Sequence, residues 1–219
     1  MTISIEGYSG IAAEVETSQR TMRTTLRPID IGALGSYRKA QTSGIMAATL
    51  SAARTYSFRW APTPNTNLCL VRRIIISAGG LTAWTAGYVK IDAFAARAMT
   101  AIDSSGGTAG TVSGNNGKLR TAMATTSGVT TYISTTGATS AGTETLDTDP
   151  FGTIATSVIT TSGISVLPPT DLFFPGVGGH PLVLANQEGF IIKTTAPAGG
   201  GLTVGVVVEW DEVVSTAWV

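Results

Sequence analysis

HPLVLANQEGFIIKTTAPAGGGLTVGVVVEWDEVV, residues His180 to Val214, decides the fold class. It holds two apolar, alternating runs joined by a Pro/Gly loop and closed by an aromatic-acidic tip. Leu202, Val204, Val206, Val208 and Trp210 share one face. Thr203, Gly205, Val207, Glu209 and Asp211 share the other, because successive side chains of a strand point to opposite sides. The pair reads as the closing hairpin of a β-sandwich. No catalytic residue interrupts it, so the stretch points to a scaffold that binds, coats or assembles.

Working outward, Tyr56-Ser57-Phe58-Arg59-Trp60 alternates in the same way, with Tyr56, Phe58 and Trp60 inward and Pro62 and Pro64 ending the strand. Leu68–Ser77 is almost all β-branched or Leu and is expected between two packed layers, with at least one of Arg72 and Arg73 reaching an edge or a carboxylate. Tyr88–Arg97 sets Tyr88, Lys90, Asp92 and Phe94 opposite Val89, Ile91, Ala93 and Ala95. Ser36–Thr42 is a further strand, while Ser43–Ala53 fits loop, strand or a helical turn. From about 100 to 160 Gly, Ser, Thr and Ala dominate, with apolar runs at Val129–Ile133 and Ile154–Ile159 and a tight-turn signal at Asn116-Gly117. A structureless loop of that length is unusual in a compact domain, so the segment reads as hairpins with long tips. Ile164–Leu167 leads through Pro168-Pro169 to an aromatic corner at Asp171–Pro175. The expected fold is all-β, an antiparallel sandwich of jelly-roll type over residues 36–219. Residues 1–35, with scattered Gly, Thr and Arg and few large apolar side chains, are expected to be an extended docking arm.

Composition narrows the function. Charged residues make up 13% of the 219, against roughly 25% in an ordinary soluble domain. Fourteen Lys+Arg balance fourteen Asp+Glu, and no basic run offers a phosphate track, so no nucleic-acid partner is expected. A neutral surface poor in charge suits contact with partner surfaces. No segment approaches the roughly 20 apolar residues of a membrane span, and the start MTISIEGYSG lacks a signal-peptide pattern. The lone Cys69, inside an apolar run, reads as a small core residue.

A search for chemistry is brief. His180 is the only histidine, no G-x-S-x-G elbow surrounds a serine, and zinc of the four-ligand kind lacks its ligands. His180, before Pro181, reads as a loop cap or a polar contact between subunits. Asp147 and Asp149 either cap a turn, which Asp before Pro favours, or contribute to a calcium site. Glu209, Asp211 and Glu212 cluster at the end of the last strand, with Arg59, Arg72 and Arg73 as expected partners in a satisfied network. Trp60 and Trp210 read as core, Trp84 and Trp218 as flanking loops or ends, and the glycines of Pro175–His180 as a flexible turn. No catalytic residue, metal or cofactor is expected, and a polysaccharide hydrolase is the disfavoured reading.

YSFRW at 56–60, LVRRI at 70–74, FAAR at 94–97, GNNGKLRT at 114–121, Arg27-Pro28-Ile29-Asp30 with Gly32–Tyr37, and above all HPLVLANQEGFIIK with VVVEWDEV together resemble a family of virion structural proteins of tailed double-stranded-DNA bacteriophages. The resemblance runs from about residue 14 to 214 and carries no catalytic signature. It implies a particle component, preferably a capsid decoration (cement) protein with a sandwich body. Such a protein would be homotrimeric, bound to the major capsid protein at the virion surface and made in the host cytoplasm. A tail, fibre or receptor-binding module that contacts host glycans is the alternative. On this reading Arg20, Arg23 and Arg27 make polar contacts with the capsid, and Phe173, Phe174 and Trp218 make apolar ones.

Overall fold

The alternation over residues 202–210 becomes a central strand: Leu202, Val204, Val206, Val208 and Trp210 are all at most 3% exposed. The computed structural model describes residues 34–47, 49–80, 84–113, 117–119, 126–158, 166–176 and 179–215. Residues 1–33 of the expected docking arm, including Arg20, Arg23 and Arg27, and also Trp218 and Asn116, lie outside the described residues, while Leu34 and Gly35, read as the end of the arm, already pair with β13 of the body.

Strands β1 (Gly35–Thr42), β2 (Met46–Ala47), β3 (Leu50–Trp60), β4 (Leu68–Gly80) and β5 (Gly87–Met99) form the first half of the body. An insertion follows, with β6 (Gly107–Ser113), β7 (Thr126–Ser134) and β8 (Glu144–Leu146). The second half holds β9 (Gly152–Val158), β10 (Val166–Phe173), β11 (Leu182–Leu184), β12 (Glu188–Ala196) and β13 (Gly201–Val213).

The two halves pair in reverse order, all antiparallel: β1 with β13, β3 with β12, β4 with β10, β5 with β9. The chain behaves as one long hairpin rolled over itself, and rolling adds the pairings β13 with β4 and β12 with β5. The result is two antiparallel sheets packed face to face. One runs β1-β13-β4-β10, with β2 on β13 and β11 on β4; the other runs β6-β7-β3-β12-β5-β8, with β9 on β5. This nesting is jelly-roll connectivity. All described residues fall in one compact unit, residues 31–219.

Two sequence expectations need correction. Strands β12 and β13 are consecutive but do not form a hairpin; they lie in different sheets. Each is already flanked on both sides, β12 by β3 and β5, β13 by β1 and β4. The Pro197–Gly200 loop carries the chain across the sandwich, with Gly199 and Gly200 at φ 74° and 71°. A side chain at Gly200 would also collide with the Trp84 ring, 2.7 Å from where its Cβ would stand.

The other correction concerns β4. It is not sandwiched between layers: Ile74, Ile76 and Ala78 are buried, while Ile75, Ser77 and Gly79 face outward and are half-buried. The adjacent arginines are explained by a bulge. Glu209 pairs with Arg73 and Trp210 with Val71, so Arg72 is the extra residue and both arginines stay outside the core.

The core is aromatic at its centre. Trp210 stacks on Tyr37 at 5.6 Å and meets Phe58 edge-on at 5.3 Å, and Phe58 stacks on Phe190 at 4.9 Å. Tyr56, Phe58 and Trp60 are buried as expected, and so is Cys69. The Gly/Thr-rich segment does form a hairpin, β6–β7, which widens the second sheet beyond β3. Its far end folds back on β1: Arg38 N–H donates to the Gly117 carbonyl at 2.6 Å and Leu119 N–H to the Ser36 carbonyl at 2.9 Å. That contact covers an otherwise open strand edge.

Candidate functional site

Polar side chains gather in three places, and each is built by strand geometry. The first lies where the insertion returns over the second sheet. Arg54 of β3 donates to both carboxylates around it: Nε and Nη2 to Asp103 at 3.0 and 2.5 Å, and Nη1 and Nη2 to Glu144 at 2.9 and 2.6 Å. The Asp103 side chain is 1% exposed and that of Glu144 10%. The two carboxylates hold the guanidinium protonated, its pKa raised although burial works against the charge. A small apolar cluster of Ala96, Met99 and Ile191 has Ile102 and Leu146, chain neighbours of Asp103 and Glu144, packed against it. Arg59 joins by donating to the Met99 carbonyl at 2.7 Å.

The second place is the end of β13. Asp211 accepts from Ser36 Oγ at 2.5 Å and pairs with Arg72 Nε at 2.8 Å. Glu212 points the other way, into the sandwich. Its Oε1 accepts from Ser127 Oγ of β7 and from Trp210 Nε1, and the Gly128 backbone also bonds it. Glu212 thus ties the first sheet to the second. Burial raises its pKa from 4.5 to about 7, despite those three donors. The same burial raises Asp211, against the pull of Ser36 and Arg72. Burial and the Glu212 charge push Tyr37 up to about 12, and burial with both carboxylates lifts the Cys69 thiol.

This arrangement makes stability pH-dependent with a definite sign. A carboxyl with pKa about 7 folded and 4.5 unfolded holds its proton more tightly in the folded state. Its stabilising contribution is therefore full below about 4.5 and is lost as pH rises through 7, by about 3 kcal/mol. Asp211 acts in the same direction; Asp147, lowered by Arg97, acts oppositely. Urea unfolding from pH 5 to 8 is expected to show a falling midpoint in the native chain and a clearly flatter profile in Glu212→Gln. Equal slopes would refute the assignment.

The third place is the outer face of the first sheet. Arg38 sits 3.5 Å from Glu209, and Arg73 donates to Asp171 at 2.6 Å. Of the expected partners for the acidic tip, Arg72 and Arg73 are nearby, Arg59 is not, and Arg38 was not foreseen. Signal for Arg38 existed: it stands opposite Glu209 once the β1–β13 register is known.

Other sequence candidates separate. Asp147 is held by Arg97, with contacts of 2.7 to 3.2 Å. His180 is exposed, its Nδ1 2.7 Å from the Pro181 carbonyl. Trp84, read as flanking a loop, is buried and lines a cavity of about 10 Å³ with Ala78, Val89 and Leu202 among others. That is room for about one water molecule. Phe173 turns inward against Phe151 at 5.4 Å, whereas Phe174 is 58% exposed beneath the Arg73 guanidinium. Among the described residues no three His, Cys, Asp or Glu side chains converge as a metal site, and no helix is long and apolar enough to cross a membrane. Compared with models of known protein families and with curated proteins, the chain finds no match.

Proposed function

We propose that this chain is a structural component of a phage particle, which coats the outside of the capsid and braces the junctions between capsomers. Its partner is the major capsid protein, and it acts as a homotrimer with the N-terminal segment reaching across a neighbour. The observation that supports this most is how charge is used. Arg54, Arg72, Arg73, Lys90 and Arg97 are each paired with a carboxylate of the same chain. With only 13% charged residues to begin with, and these charges neutralised within the chain, the described surface also presents hydroxyls, backbone and isolated apolar side chains such as Ile45, Tyr88 and Phe174. A surface of that kind suits a coat of many repeated weak contacts, whose energies add when one rigid body engages several sites.

Two measurements test the reading. Quantitative mass spectrometry of purified particles is expected to find the chain in hundreds of copies; a handful would favour a tail or fibre module. Deleting residues 1–33 should abolish particle binding while circular dichroism and the melting temperature of the body hold. Undiminished occupancy would reject the arm.

A further inference from the structure

A strand at the rim of a sheet carries a row of unpaired backbone N–H and C=O groups, and folded chains blunt such rims with proline, charge, bulges or a covering segment. Most rims of this sandwich are blunted. Residues 117–119 lie along the outer side of β1, bonded to Ser36 and Arg38. β10 contains Pro168 and Pro169 and two register shifts. β8 is three residues long. β9 is flanked by β10: the Leu172 carbonyl lies against Gly152, and Leu167 lines a common cavity with Thr156 and Val158.

β6 is different. Gly107–Ser113 has no charge and no proline, and among the described residues it pairs with β7 alone. Gly107, Thr108, Ala109 and Thr111 are exposed. The Thr111 carbonyl turns away from β7, since Lys39 Nζ of β1 reaches it at 3.1 Å. The Gly106 carbonyl turns the other way and accepts from Thr135 N–H at 2.6 Å. By the alternation of an antiparallel ladder, the backbone groups of Gly107, Ala109 and Thr111 all face outward, open to a further strand.

A segment that fits this edge is present in the chain itself. Thr21–Arg27 is seven residues long, as is β6, and Pro28 stops it. It alternates Met22, Thr24 and Leu26 against Arg23, Thr25 and Arg27. The inner face of β6 is that of Val112, which is in the core. A strand added there sets Met22 and Leu26 on the side of Val112 and leaves Arg23 and Arg27 in water. Direction decides whose segment it is. Gly117, four positions after β6 ends, bonds Arg38 near the start of β1, so Leu34 and the Ser113 end of β6 lie at one end of the sandwich. A segment leading into its own Leu34 would run parallel to β6, the weaker pairing, whereas a second copy's segment is free to run antiparallel. We propose that residues Thr21–Arg27 of a second copy add as an antiparallel strand to the open edge of β6. The contact joins two different surfaces, and such contacts close into rings of the kind a homotrimer requires. It specifies which surface of a neighbour the N-terminal segment reaches, and so rests on the reading above; it needs other copies of the chain but no capsid.

The test therefore uses the purified full chain without particles, whereas copy number and particle binding test the coat. Residue-resolved hydrogen exchange should find the Ala109 and Thr111 amides slowed at least about tenfold at high protein concentration and released on dilution. Thr24→Pro with Thr25→Pro removes a strand donor whichever of the two faces β6. Both positions lie outside the compact unit of the body, so the melting temperature should hold while the protection is lost. Ala109→Pro, at an outward position that β7 does not use, should weaken self-association in sedimentation velocity in the same way. Fast exchange of both amides at every concentration overturns the proposal. Protection independent of concentration also overturns it, because the segment then belongs to the same chain. So does protection that survives the double proline variant, because another strand then fills the edge. Should Ala109→Pro disturb the body, the double variant alone decides.

Discussion

Replacing Arg54 with alanine is expected to cost about 3–5 kcal/mol, enough to unfold much of the insertion at ambient temperature. The reason is not the loss of a favourable bond but what remains. Asp103 and Glu144 would be left facing each other, 1% and 10% exposed, with the shared counter-charge gone. Those carboxylates would have to take up protons or pull the 100–106 segment and β8 into water. Ala96, Met99 and Ile191 would lose their cover with them. Urea unfolding at neutral pH measures the loss, and acidification should recover part of it as the carboxylates neutralise. A second variant isolates the cause: adding Asp103→Asn and Glu144→Gln to Arg54→Met should restore most of the stability. A loss below about 1 kcal/mol for Arg54→Ala would mean that water reaches the carboxylates and that the clamp is a surface pair.

Trp210→Ala is expected to be at least as severe, about 3–5 kcal/mol from the cavity alone. Its indole is completely buried between Tyr37 and Phe58, in the middle of the first sheet. Its N–H also donates to Glu212 at 3.3 Å, so truncation removes a donor from a carboxylate that has few. Trp210→Phe should retain much of the stacking and lose only the donor and part of the volume. Thermal unfolding should rank native, Trp210→Phe and Trp210→Ala in falling order; an alanine variant that melts near the native temperature would contradict the packing described here.

The sandwich was legible because one-sided burial leaves a period of two, and that period survives in Tyr56–Trp60, Tyr88–Ala95 and Leu202–Trp210. What periodicity does not encode is which strand lies next to which. The 188–196 and 201–213 runs are neighbours in sequence with a Gly-rich joint, so they resemble a hairpin. Their separation into two sheets is decided by partners more than a hundred residues away, such as Tyr56 opposite Ile192 and Tyr37 opposite Trp210. Leu68–Ser77 misled for a related reason: its near-continuous apolar run implies cover on both faces, whereas the expectation that at least one of Arg72 and Arg73 reaches a carboxylate holds for both. The bulge that keeps the two adjacent arginines out of the core has no sequence signature here. The polar clusters were partly visible: Glu209, Asp211 and Glu212 were marked, but their division between the outer face and the interior follows the twist and pairing of β13. The Arg54 clamp left no local trace, because Asp103 and Glu144 come from an insertion whose path the sequence does not display.

The nested pairing has a consequence for biosynthesis. The strand translated last of the thirteen does not add to a finished edge; it slots between two that were made far earlier. Until it emerges from the ribosome, β1 and β4 have no shared neighbour and the aromatic centre lacks Trp210. Folding of the body therefore waits for β13 and is slow, governed by closure of very long loops. Nascent chains shortened by even a dozen C-terminal residues of β13 should remain protease-sensitive, with their apolar strands open to chaperones or to each other.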